Sequence, residues 1–131
     1  MSVRFAGYAA VFDCPDRGRD VVRKGAFAGA GPRAPLLWQH RGAPVGEVRV
    51  LGEDARGLRV VGEVRTCELA ALVRSGAIAG LSFGYRVRAA REGTYRELLR
   101  LELVEVSLVA TPMQPLARIH HIENEQGDEH E

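Results

Sequence analysis

In four stretches between Val45 and Val109 the apolar residues return at every second position, a period that commits most of this chain to β-structure. Val45 to Leu51 sets Val48 and Val50 opposite Glu47 and Arg49. Leu58 to Val64 alternates again, and Glu53-Asp54-Ala55-Arg56-Gly57 between them reads as a hairpin connection. In Leu81 to Arg88 one face carries Leu81, Phe83, Tyr85 and Val87 and the other Ser82, Gly84, Arg86 and Arg88. After a turn at Glu92-Gly93, Thr94 to Val109 reads as one long strand or two with a bend. Only Glu68 to Gly76 changes period, with Leu69, Leu72 and Val73 at i, i+3 and i+4 and Gly76 where a helix C-cap belongs.

The remaining segments fit the same picture. Val3 to Phe12 is rich in β-formers and breaks in the turn-rich Asp13 to Gly18, and Val21-Val22 is a short strand candidate. Lys24 to Pro35 reads as loop with one helical turn, Leu36 to His40 as a short apolar run, and Arg41 to Pro44 as a turn. Leu116 to Ile122 reads as short helix or coil. The expected fold is mainly β (α+β), a closed or rolled antiparallel β-barrel with one or two small helices. No repeat or linker divides the chain, so residues 1–122 form one core domain and 123–131 an acidic, disordered tail.

The length, 131 residues, suits one such domain and is too short for a TIM barrel. The net charge of +1 conceals an asymmetry: the tail holds five acidic residues, leaving 18 basic against 12 acidic, or +6, in residues 1–122. Arg86, Arg88 and Arg91 cluster, but no aromatic platform accompanies them, which argues against nucleic acid as a partner. Two cysteines, Cys14 and Cys67, make no disulfide scaffold and lack metal-ligand neighbours. The N-terminus has no signal-peptide core and no apolar run is long enough to span a bilayer, so a cytosolic-type chain is expected.

Catalytic side chains are few: four serines and four histidines. Ser2 and His130 sit near the termini; the serious candidates are Ser82, Ser107 and His40, with His120-His121 in reserve. Adjacent histidines do not share a helix face, so neither a metal site nor a cofactor is expected. Gly80-Leu81-Ser82-Phe83-Gly84 matches G-x-S-x-G, but the strand that follows Ser82 and the short chain exclude the α/β-hydrolase elbow. The flanking glycines are expected to clear space so that a substrate backbone can approach. In Leu101 to Val109 both faces turn apolar after Leu103, so Glu105 is expected to be buried. A buried carboxylate needs a partner, an arginine for a structural role or a histidine for a functional one.

Several blocks in order resemble the prohead (capsid maturation) proteases of tailed bacteriophages and gene-transfer particles, which are similar in fold to the herpesvirus assembly proteases. They are Gly7 to Phe12, Asp20 to Phe27, Leu36 to His40 with Pro44-Val45-Gly46, Gly57-Leu58, Gly76 to Tyr85, and Leu103 to Val109 with Pro112 and Ala117. The resemblance implies a serine endopeptidase with His40 as base, Ser82 as nucleophile and Glu105 as the acidic third member. It implies action on the major capsid protein precursor or its scaffolding segment, within the assembling prohead in the bacterial cytoplasm. The herpesvirus analogy adds a homodimer. Oxyanion donors are expected among the backbone amides of the turn after Val109, supported by an arginine such as Arg86. Many relatives continue further, so a scaffold-like extension is expected to be missing. The rival reading is a catalytically silent β-barrel that serves as a scaffold or assembly-binding module.

Overall fold

The computed structural model describes residues 2–123. Their elements in chain order are β1 (Val3–Val11), β2 (Asp20–Val22), β3 (Arg33–Trp38), β4 (Arg41–Glu53), β5 (Gly57–Val64), α1 (Cys67–Ser75), β6 (Gly80–Arg91), β7 (Arg96–Val109) and β8 (Ile119–Glu123). The expected disordered tail lies, from residue 124 onward, outside the described residues.

The strands join into one sheet in the order β2-β7-β3-β4-β5-β1-β8, with β6 on the opposite edge of β7. Hairpin logic accounts for part of this. Strands β4 and β5 pair antiparallel across Asp54-Ala55-Arg56, as their alternation requires. The Asp54 carboxylate accepts hydrogen bonds from Arg56 N and Gly57 N at 2.8 and 3.0 Å and so fixes the turn.

Two features depart from the expected antiparallel barrel. The sheet is mixed, because β7 takes β2 and β3 as parallel neighbours on one edge and β6 as an antiparallel neighbour on the other. The sheet is also not closed: its edges meet at a single bridge, Gly80 to Arg118. Parallel neighbours must come from segments distant in sequence, which local alternation cannot register.

Two local expectations are also corrected, and the expected helix forms. The turn expected at Arg41–Pro44 falls at Gln39-His40, both left-handed (φ 55° and 63°), and Arg41 pairs with Trp38 as the first residue of β4. The helix or coil expected over Leu116 to Ile122 ends as strand β8, because the edge of β1 offers it unpaired backbone; Ile122 pairs with Phe5 and Ile119 with Gly7. Helix α1 is the sole helix among the described residues and buries Ala70 and Val73, whereas Leu72 is exposed. Gly76 ends it as expected, at φ 85°, its N–H donating to Val73 O at 3.1 Å.

The core lies between the faces of the curved sheet. Leu36, Leu58, Leu81, Leu98 and Leu108 are fully buried there, with Phe5 and Phe27 beside them. Truncating any of these leucines to alanine costs about 2–5 kcal/mol, because packed neighbours refill the void only in part. Leu36, Leu81 and Leu108 anchor the three strands that carry the site.

Candidate active site

Strand β7 runs between β3 and β6, and this order assembles the site. Across β6 and β7, Ser82 faces Ser107 and Gly84 faces Glu105. Across β3 and β7, Leu37 faces Ser107 and Trp38 faces Leu108, which delivers the next turn, Gln39-His40, beside the end of β7. Directly opposed residues share a sheet face, so Ser82, Glu105 and Ser107 project together. The register shifts between Gly84 and Tyr85, opposite which Val104 is the extra residue. Val104 is consequently 40% exposed, not buried as the two-sided apolar pattern suggests, while Glu105 is 8% exposed and Ser107 fully buried.

His40 is the partner of the buried carboxylate: its Nδ1 lies 2.6 Å from Glu105 Oε2. The other carboxylate oxygen, Oε1, accepts a 2.7 Å hydrogen bond from Ser107 Oγ. No arginine pairs with Glu105 among the described residues.

The backbone of His40 is held with equal care. A two-residue turn with both residues left-handed suits Asn-Gly, and each non-glycine residue held there costs about 1–3 kcal/mol unless its surroundings over-determine it. Here the end of β7 supplies the restraint. Gln39 N donates to Leu108 O at 3.0 Å and His40 N to Ser107 Oγ at 3.0 Å. Ala110 N donates to Gln39 Oε1 at 2.8 Å.

Ser82, 7% exposed, and His40 line the same cleft of about 150 Å³, with Asp16, Asp20, Tyr85 and Met113 around them. No hydrogen bond joins the two side chains in this structure. Asp20 is held by a bidentate pair with Arg96 at 2.9 and 3.0 Å. Burial, with Asp20 nearby, raises the pKa of the Tyr85 hydroxyl above its ordinary value.

The two glycines around Ser82 serve packing rather than substrate approach. A Cβ at Gly84 would run into the Glu105 carboxylate, and one at Gly80 would meet Pro112 Cδ and Val109 O at 2.9 Å. The remaining candidates do not line the cleft. Ser107 is sealed inside, His120 packs edge-on to Tyr8, and His121 lines a different groove with Arg4. Two of the expected oxyanion donors are engaged elsewhere. Arg86 is exposed and pairs with Glu102 at 3.4 Å, and the Ala110 amide is taken by Gln39.

Sequence reasoning missed the roles of Gln39, Ser107 and Gln114. The shared parity of Glu105 and Ser107 on one strand was a usable signal for Ser107. Gln114 had none: 4% exposed, it pairs with Val11 N and O, both at 2.9 Å, and pins the turn that brings Met113 to the cleft. Among the described residues no group of three or more His, Cys, Asp or Glu side chains converges on a metal position, and no helix is long and apolar enough to cross a membrane.

The chain is similar to known proteins in sequence and in fold. A family model described as Caudovirus prohead serine protease matches residues 1–131. The chain is 32% identical over 94 residues to the prohead protease of Enterobacteria phage HK97, covering 63% of this chain and 42% of that protein. It therefore spans less than half the length of this curated relative. A KSHV protease, crystallised with a hexapeptide phosphonate inhibitor, matches with a TM-score of 0.66 at 14% identity, covering 95% of this chain and 66% of that one. That likeness is one of fold.

Proposed function

This chain belongs to the Caudovirus prohead serine protease family, and we propose that it is a serine endopeptidase of particle maturation with Ser82 as nucleophile, His40 as base and Glu105 as the group that orients the base. The observation that carries this reading is the 2.6 Å contact between His40 Nδ1 and the buried Glu105 carboxylate, with Ser82 and His40 on one cleft.

A carboxylate only accepts hydrogen bonds, so the shared hydrogen belongs to Nδ1 and the ring presents the Nε2 lone pair. As Ser82 Oγ bonds to the scissile carbonyl carbon, its proton passes to Nε2. Collapse of the tetrahedral intermediate breaks the C–N bond, and the leaving amine takes that proton from Nε2. Water then adds to the acyl carbon, giving its proton to Nε2; collapse breaks the bond to Ser82 Oγ, which takes that proton back as the acid leaves. Glu105, itself buried, stabilises the imidazolium formed at each stage.

The substrate we assign is the major capsid precursor, its scaffolding segment, or both. Co-expression of the chain with the capsid precursor of the same particle tests the proposal. Wild type should shorten the precursor and Ser82→Ala should leave it intact. Cleavage by Ser82→Ala would overturn the choice of nucleophile, and an intact precursor with both would favour a silent assembly module.

A further inference from the structure

We propose that Ser107 is a positioning residue that locks the main chain of His40 and the carboxylate of Glu105 into one relation. The inference rests on the reading of Ser82, His40 and Glu105 given above and adds a fourth member that never meets substrate. Ser107 has no exposed surface and does not line the cleft that holds Ser82.

Its hydroxyl has one proton to give and lone pairs to receive, and both capacities are used within the site. The proton goes to Glu105 Oε1 at 2.7 Å, and the oxygen accepts His40 N–H at 3.0 Å. Each oxygen of the buried carboxylate then has its own partner, Oε1 with Ser107 and Oε2 with His40 Nδ1. The carboxylate cannot rotate without breaking the first bond, so Oε2 is kept on the imidazole. The same hydroxyl holds the backbone from which that imidazole hangs, at a left-handed residue of φ 63°. One buried atom therefore sets both the origin of the His40 side chain and the direction of its ring.

A hydroxyl that merely filled space would act differently from one that transmits geometry. Removing it takes this partner from the His40 amide and from the buried Glu105 carboxylate, and it frees the turn and the carboxylate to drift apart.

The test uses the full chain and a serine-reactive fluorophosphonate as probe, in which Ser82 Oγ displaces fluoride from phosphorus while its proton passes to His40. Wild type, Ser82→Ala, Ser107→Ala and Ser107→Cys are compared for kinact and KI, and for the downfield proton resonance of His40 Nδ1–H. Ser107→Ala should lower kinact about 10- to 100-fold with KI within about twofold of wild type, the scale of one lost buried hydrogen-bond partner. Its downfield resonance should broaden or move upfield. Ser107→Cys restores the volume with a poor hydrogen-bonding group, so it should resemble Ser107→Ala rather than wild type; it also carries the comparison if the alanine variant does not fold. Unchanged kinact and an unchanged resonance in either variant, with Ser82→Ala unlabelled, would overturn the role of Ser107 and leave the nucleophile standing. Labelling of Ser82→Ala would instead overturn the catalytic assignment, while the resonance still decides whether Ser107 holds His40 on Glu105.

Discussion

His40 Nδ1 and Glu105 Oε2 lie 2.6 Å apart although 65 positions separate them in the chain. Strand β7 makes this contact by carrying Glu105 on the face shared with Ser82 and by receiving β3 as a parallel neighbour on its other edge. Replacing the carboxylate by an amide of the same shape, Glu105→Gln, keeps the packing but removes the preference for hydrogen on Nδ1. The fluorophosphonate labelling rate should fall by about 10³–10⁴, as when the orienting acid of a serine triad is neutralised. A loss under tenfold would remove Glu105 from the mechanism.

Gly84 makes room for that carboxylate. The Cβ introduced by Gly84→Ala would collide with the Glu105 side chain and push it away from His40. Overpacking at such a site costs about 1–3 kcal/mol. The thermal midpoint should drop and labelling of Ser82 should fall more steeply than stability does, which paired melting and labelling experiments would measure. An active variant of unchanged midpoint would show that Glu105 has slack the structure does not display.

Gln114 lines the cleft, but its amide is committed to the main chain, so its replacement should show first in stability. Its amide pairs with both backbone groups of Val11. Gln114→Leu keeps the volume and leaves a buried N–H and C=O without those partners, at a cost of about 1–3 kcal/mol. Urea unfolding should show a lower midpoint with an unchanged slope; an unchanged midpoint would mean that water replaces the side chain.

The pH dependence of stability should carry the mark of Glu97. Hydrogen bonds from Arg91 first and Arg23 second hold its pKa down, from 4.5 to about 2. With the folded pKa below the unfolded one, ionised Glu97 stabilises the fold above about pH 4.5, and this contribution disappears as the pH falls toward 2. The urea midpoint of wild type should therefore exceed that of Glu97→Gln at pH 7, and the two should converge through that window. A gap that persists to the lowest pH would place the effect in packing instead.

Sequence periodicity alone determined β4 from Val45 onward, the strands β5, β6 and β7, the hairpin after Glu53 and the helix that stops at Gly76, because side-chain alternation and capping are local properties. It also marked Glu105 as a buried carboxylate in need of a partner, since an acidic residue in an apolar strand signals an unmet electrostatic demand. The resemblance to a family supplied His40 and Ser82. Local pattern could not show which edges of β7 would be occupied, nor that two of its neighbours run parallel to it. Those choices depend on pairing between distant segments and on burying both faces of the central strand. They bring His40 onto Glu105, place Ser107 behind both and turn Gly84 into clearance for a carboxylate. Residue identities supplied the functional groups; strand order, a property of the whole chain, decided which of them could touch.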